Sequence, residues 1–323
     1  MREITFSQAT LEAMAEEMER DERVFVMGED IARQGGIFGQ FKGLPDQFGT
    51  DRVLDTPISE TAIMGAAVGA ALAGMRPVAD MHFADFFGVC MDEVFNQMAK
   101  IRYMFGGQTT VPVVVRAPDG LASRAAAQHS QSVEAWFAHI PGIKVVAPSN
   151  PADAKGLLKS AIRDDNPIIY FENKILYKQK GPVPEGELLV PIGKANVVKE
   201  GKDVTIVSYS IMLQQAQKAA QILEKDGISA EVIDLRTISP IDKETILESV
   251  KKTNRLVIAH EAVKSFGVGA EIAAMVAEEA IDYLDAPILR FGAPFVPVPF
   301  APTLEDAYKV YGEDIAAAIK KMF

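Results

Sequence analysis

The amino-acid sequence predicts an α/β protein of two domains, each with a mostly parallel sheet flanked by helices. Three observations carry that expectation. The chain has 323 residues, more than one average domain and enough for two cores. Short β-rich runs alternate with amphipathic helical patterns from end to end, the rhythm of parallel sheets covered by helices. That rhythm is interrupted once, between residues 174 and 194, by a stretch with three prolines, three glycines and no amphipathic period. It reads as a linker, and residues 1–185 and 186–323 are expected as the two domains.

Ser7 is placed to cap a first helix whose apolar residues Leu11, Met14, Ala15 and Met18 follow the helical period, and Val24 to Met27 follows as a strand. Further strands are expected at Pro77–Met81, Val111–Arg116, Lys144–Pro148 and Pro167–Phe171, continuous apolar runs of the kind a parallel sheet buries on both faces. Helices are expected between them at Ser59–Gly74, Met91–Met104, Ser132–His139 and Pro151–Arg163, the last with Asn150 as N-cap and proline at its first position. Beyond residue 194 the expected strands are Val204–Tyr209, Ala230–Leu235, Leu256–His260 and Pro287–Phe291. The expected helices there are Met212–Lys225, Lys243–Lys252, Val268–Leu284 and a terminal helix.

Composition removes several classes of function. Apolar residues make up 48% and charged residues 24%, which fits a globular protein rather than a disordered or fibrous one. The net charge of -11, with no concentrated basic patch, disfavours nucleic acid. The single cysteine, Cys90, allows no internal disulfide and no thiolate zinc site. The start MREITFSQAT has no signal-peptide pattern, and no apolar run is long enough for a membrane span, so a cytoplasmic location is expected. GxxxxGK[ST], GxSxG and HExxH are absent. Gly267-Val-Gly269 lacks the third glycine of a dinucleotide fingerprint because Ile272 stands there.

The informative segment is DTPISETAIMGAAVGAALAGMRPVADMHFADFF. Glu60 opens a helix of Ala, Gly, Val, Ile and Met. It reads either as a first-turn acid that complements the helix dipole or as a desolvated carboxyl with a raised pKa that shares a proton with a ligand. Phe86 lies past the carboxyl end of an expected strand, the edge where open α/β sheets bind ligands, and reads as either a ring-stacking residue or core. His82 in the same run is divided between ligand-facing and core. His129, in the polar stretch AAQHSQ, is the best acid/base candidate among the four histidines; His139 and His260 read as structural.

At these residues the chain resembles the beta subunits of thiamin diphosphate-dependent 2-oxo acid dehydrogenase E1 components, which serve the pyruvate, branched-chain and acetoin dehydrogenase complexes. The resemblance covers essentially the whole chain through VFVMGEDI, RVLDTPISE, GMRPVADM, KIRYMFGG, AAQHSQ, PGIKVVAPSNPADAKGLLKSAIRDDNP, VIDLRTISPID and FGVGAEIA. It implies a transketolase-like pyrimidine-binding domain followed by a transketolase-type C-terminal domain. By position, Glu60 matches the glutamate that bonds N1' of the cofactor's aminopyrimidine, Phe86 the aromatic residue on that ring, and Ile58 an apolar ring contact. His129 matches the histidine at the substrate and lipoyl end. Asp164 and Asn166, with the carbonyls of Val113, Ala161 and Ile162, match a structural potassium site. His82 stands where the family has an apolar residue.

The resemblance also implies a division of labour. The family holds the diphosphate and its Mg2+ with a GDG motif and a downstream Asn, and no GDG occurs in the chain. Those groups are expected on an alpha subunit, in an α2β2 heterotetramer that serves a lipoyl-bearing E2 acyltransferase. Thiazolium chemistry needs a base at neutral pH, which the family takes from the cofactor's own 4'-amino group, with Glu60 protonating N1' to favour the imino form. KIRYMFGG, SRAAAQHSQ and VPVPFAPTLED resemble acetoin dehydrogenases most, which favours acetoin over pyruvate, with branched-chain 2-oxo acids third. Two other classes are less favoured. An NAD-binding dehydrogenase lacks its glycine fingerprint, and a noncatalytic binding module leaves Glu60, Phe86 and His129 without a shared purpose.

Overall fold

A computed structural model describes residues 1–121 and 124–323. They group into two compact units, Met1–Asp119 with Trp136–Ile192 and Gly120–Ala135 with Gly193–Phe323. Residues 1–185 and 186–323 were the expected division; in the structure Gly120–Ala135, with His129, goes with the second unit.

The first unit opens with β1 (Arg2–Thr5) and α1 (Phe6–Arg20). Thr5, not Ser7, caps α1: its hydroxyl accepts from the Gln8 amide while the Gln8 side chain accepts from the Thr5 amide. β2 (Val24–Gly28), α2 (Leu44–Phe48), β3 (Val53–Asp55), α3 (Glu60–Leu72) and β4 (Arg76–Asp80) follow. The helix expected over Met91–Met104 is broken into a π-helical turn at Glu93–Met98 and the short α4 (Ile101–Met104). β5 (Val114–Asp119) precedes α5 (Glu134–Ala138), which is shorter than expected and straddles the boundary between units. β6 (Lys144–Val146), α6 (Pro151–Arg163) and β7 (Ile168–Asn173) complete the sheet, with Asn150 capping α6 as expected. Strands β2 to β7 all pair in parallel, in the order β6-β7-β5-β4-β2-β3. The stretch expected to be a linker is partly built into this unit. Lys180–Val183 forms β8 and pairs antiparallel with β1, so Pro182 falls on a two-stranded ribbon.

β5 carries a charge into the interior. Arg116 is fully buried, and its guanidinium donates to both carboxylate oxygens of Glu172 on β7, at 2.6 and 2.9 Å, and to the Thr10 hydroxyl at 3.2 Å. The Phe41 ring lies 4.6 Å away across its face. A bidentate pair with an added acceptor for the guanidinium is the geometry that makes a buried ion pair tolerable, and it ties β5, β7 and α1 together.

The second unit contains β9 (Asn196–Lys199), β10 (Val204–Ser208), α7 (Met212–Lys225), β11 (Ala230–Asp234), β12 (Thr237–Ser239), α8 (Lys243–Thr253), β13 (Leu256–Val263), α9 (Val268–Glu279), β14 (Leu289–Ala293), α10 (Pro302–Tyr308) and α11 (Gly312–Ile319). Its five-stranded sheet runs β14-β13-β10-β11-β9, parallel except for β9. His260 does not end its strand. It sits inside β13, fully buried, with room made by Gly267, Gly269 and Gly292, where a Cβ would come within about 3 Å of the ring. Burial lowers its pKa to about 4, so it is a neutral core histidine. Among the described residues no helix is long and apolar enough to cross a membrane.

Candidate active site

Strands β4, β2 and β3 are neighbours, so their carboxyl ends deliver three loops to one edge of the first unit's sheet. β2 leads to Glu29, β3 leads through Ile58 to Glu60, and β4 leads through His82 to Phe86. Gly28 lets β2 and β4 close: a Cβ there would lie 2.8 Å from the Asp80 Cβ. The Asp55 carboxylate, at the end of β3, accepts from the amides of Ala32 and Arg33 at 2.7 and 3.2 Å and so holds the β2 loop against the β3 loop.

Glu60 is the first residue of α3 and is half-buried. The next residue, Thr61, donates its hydroxyl to the Val89 carbonyl at 3.1 Å, which fastens the start of α3 to the 3-10 helix Ala84–Val89 that carries Phe86. Phe86 is half-buried and meets Phe83 edge to face at 5.5 Å; Phe83 in turn meets His82 at 5.6 Å. The structure thus brings Glu60 and Phe86 onto adjoining elements, with His82 on the same loop as Phe86. Ile58 is 83% exposed.

Glu60 lies three and four residues before Ile63 and Met64, on the buried stripe of α3. α3 buries Ile63, Met64, Ala67, Val68 and Ala71, whereas Ala62, Gly65, Ala66, Gly69 and Ala73 face solvent. The small residues that read as close core packing form an open face instead. What surrounds Glu60 within the chain is acidic: burial raises the Glu29 carboxyl above its ordinary range, and the nearby Glu60 and Asp30 raise it further. Burial also pushes the Cys90 thiol up to about 12, with Glu93 and Glu60 adding to the effect.

Asp80 ends β4 fully buried. It faces the Arg116–Glu172 pair, the Gln40 amide and Glu29, and burial raises its carboxyl to about 7 despite Arg116. One guanidinium already paired with Glu172 offers Asp80 little compensation in a dry site, so its carboxyl holds a proton more tightly than an ordinary one.

His129 belongs to the second unit, half-exposed in a loop whose ends are joined where the Gly120 amide donates to the Gln131 carbonyl at 3.0 Å. Ser123, which begins SRAAAQHSQ, lies outside the described residues.

The matched potassium ligands do not fit that ion. Lys144 pairs with the Asp164 carboxylate, Arg102 donates to the Asn166 side-chain oxygen at 2.5 Å, and Arg76 donates to the Ile162 and Asp164 carbonyls at 3.0 and 3.1 Å. The Val113 and Ala161 carbonyls accept from the Ile168 and Asp164 amides. Three cationic side chains stand where the ion would need oxygen lone pairs. Among the described residues no group of three or more His, Cys, Asp and Glu side chains could hold a metal.

Sequence reasoning overlooked Glu29, Asp80 and the Arg116–Glu172 pair. VFVMGEDI and GMRPVADM contained two of the signals, each an acid at the carboxyl end of an apolar strand run.

Residues 2–180 match the family described as transketolase, pyrimidine binding domain, and residues 193–315 match transketolase, C-terminal domain. The chain is 51% identical over 330 residues to the acetoin:2,6-dichlorophenolindophenol oxidoreductase subunit beta of Cupriavidus necator, covering 99% of this chain and 97% of that protein. It is 50% identical to the pyruvate dehydrogenase E1 component subunit beta of Rickettsia felis (99% and 98% covered) and 48% identical to the 2-oxoisovalerate dehydrogenase subunit beta of Bacillus subtilis (96% and 95% covered). Among solved structures, one described as a split-gene transketolase, inactive beta4 tetramer, superposes with a TM-score of 0.82 at 26% identity, covering 99% of this chain and 98% of that one.

The Asp80 proton gives a pH test. Because its folded pKa lies above the ordinary value near 3.9, the folded state keeps a proton that the unfolded chain releases between about pH 4 and 7, and stability falls across that window. Asp80→Asn has no such proton to lose. Its unfolding free energy relative to wild type is expected to rise from pH 4 to pH 7, by at most on the order of 4 kcal/mol. Urea unfolding at several pH values measures it, and parallel curves for the two proteins would show that Asp80 is already ionised at pH 4.

Proposed function

This chain belongs to the family that joins a transketolase pyrimidine binding domain to a transketolase C-terminal domain, and we propose that it is the beta subunit of a thiamin diphosphate-dependent E1 component that cleaves acetoin and passes the acyl unit to a lipoyl group. The observation that carries this reading is the placement of Glu60: a carboxyl at the first turn of α3, on the carboxyl edge of a parallel sheet, fastened to the element that bears Phe86.

These residues fit the aminopyrimidine. When bound, thiamin diphosphate would supply a thiazolium carbon able to attack a substrate carbonyl. The Glu60 carboxyl would hold a proton at N1' of the ring, Phe86 would offer its aromatic face, and Ile58 would offer an apolar side chain. His82 is assigned to the cofactor end of the site with no more specific role. His129 would position substrate and move protons during acyl transfer, as a donor and an acceptor.

The chain has no GDG motif of the kind the family uses for the diphosphate's Mg2+, so we assign that ion to an alpha subunit, in an α2β2 assembly that docks on a lipoyl-bearing E2. The open face of α3 supports this division, because Ala62, Gly65, Ala66, Gly69 and Ala73 let another chain approach the helix closely. A buried, unpaired Cys90 is compatible with a reducing compartment, and a cytoplasmic location is part of the proposal.

The relatives named for acetoin, pyruvate and 2-oxoisovalerate differ by at most three percentage points of identity, which does not order the substrates. Acetoin is favoured by KIRYMFGG, SRAAAQHSQ and VPVPFAPTLED. The chain assembled with its alpha subunit is expected to show kcat/KM for acetoin roughly 10-fold or more above that for pyruvate or 3-methyl-2-oxobutanoate. A preference for either 2-oxo acid would reassign the substrate and leave the E1 beta reading intact.

Glu60→Gln keeps the size of the side chain and loses the acid. In the assembled enzyme, exchange of the thiazolium C2 proton followed by NMR is expected to slow roughly 100-fold or more while assembly survives. A wild-type exchange rate would reduce Glu60 to a helix-start acid.

A further inference from the structure

SRAAAQHSQ and VPVPFAPTLED are far apart in sequence, yet the structure joins them within the second unit. Glu305, the second residue from the end of the latter motif, has a fully buried side chain on α10. One of its oxygens accepts from the Arg124 backbone amide at 2.8 Å, and the other accepts from the Arg124 guanidinium at 2.7 Å. Lys309 lies 3.1 Å from the same carboxylate, and Asp306 receives the far side of the guanidinium at 3.3 to 3.4 Å. Backbone and side chain of one residue are therefore gripped by one buried acid.

The grip falls in the loop that carries His129. The base of the loop is closed by the Gly120–Gln131 bond, and Glu261 accepts from the Leu121 amide and the Ser132 hydroxyl at 3.3 and 3.5 Å. Beyond Arg124 come Ala125, Ala126 and Ala127, which have no polar side chain with which to set their own path. Two residues in this part hold left-handed backbone, Arg124 at φ 80° and Ala126 at φ 62°, a conformation that L side chains keep when surrounding contacts impose it. The contact that can impose it at Arg124 is Glu305.

We propose that Arg124 and Glu305 are positioning residues for His129: their ion pair sets the path of residues 124–129 and so aims the imidazole at the substrate. This rests on the role given to His129 above and extends it to two residues that touch no substrate. It assigns a purpose to the pairing of the two motifs that lean toward acetoin.

Two readouts test it. Hydrogen exchange on the full chain follows the amides of residues 125–131. Arg124→Ala is expected to speed their exchange roughly 10-fold or more while the strands of the second unit keep their protection, and Arg124→Lys, which retains a cation for Glu305, is expected to recover part of it. Exchange unchanged within about twofold in Arg124→Ala would overturn the proposal. The second readout is reductive acylation of a lipoyl domain by the assembled enzyme, in a double-mutant cycle with His129→Ala. If Arg124 acts through His129, Arg124→Ala slows acylation in the wild-type background, with kcat falling rather than KM rising, and adds no more than about twofold in the His129→Ala background. Equal slowing in both backgrounds would overturn the proposal, because Arg124 would then act by another route. A His129→Ala enzyme that acylates at the wild-type rate would remove the catalytic role given to His129 and with it the aim of the clamp, while faster exchange would still show that Arg124 holds the loop.

Discussion

A carboxyl can hold a proton on a ring nitrogen at neutral pH when water is kept from it, and α3 keeps water from one side of itself alone. Its Ile, Met and Val residues are buried together with Ala67 and Ala71, while Ala62, Gly65, Ala66, Gly69 and Ala73 face solvent. A helix left in water has no need of so many glycines, each of which costs about 1 kcal/mol relative to alanine in a helix interior. The cost has a use where another backbone must approach closely. Glu60 stands at the start of the same helix, on the stripe of Ile63 and Met64 rather than on that open face. On the proposed reading the chain supplies the acid and the aromatic ring of a cofactor site, and the open face of α3 is where another chain would approach.

The rest of the first unit keeps that edge in place. The Arg116–Glu172 pair joins the central strands from within, and Asp80 faces it at the end of β4, its carboxyl raised to about 7 by burial. Glu29 comes next along the edge, its carboxyl raised by burial and by Glu60. Burial and neighbouring like charges thus raise the Asp80 and Glu29 carboxyls together. Asp55 and Thr61 fix the loops with hydrogen bonds that cost little and leave no charge buried.

Much of the fold was legible because parallel strands buried on both faces leave long apolar runs: Val24–Gly28, Val204–Ser208 and Ala230–Asp234 were all foreseeable. Short pairings were not. β1 and β8 have four residues each and take their identity from each other, which no local pattern announces. The π-helical break at Glu93–Met98 was hidden within an unbroken helical period. In the site, Glu60 and Phe86 were readable from their positions after apolar strands and from the family resemblance. The polarity of the α3 face was not, because an alanine- and glycine-rich helix looks the same from sequence whether it packs inward or waits for another chain. Asp80 and Glu305 were missed because their chemistry comes from Arg116 and Arg124, distant in sequence.

The central claim is that this chain holds half of a cofactor site. Titration calorimetry with thiamin diphosphate and Mg2+ tests it most directly, on the full chain alone and then on the chain assembled with an alpha subunit. Aminopyrimidine contacts without metal and diphosphate ligands predict binding weaker than about 100 μM for the chain alone and micromolar or tighter binding for the assembly. Micromolar binding by the chain alone would contradict it.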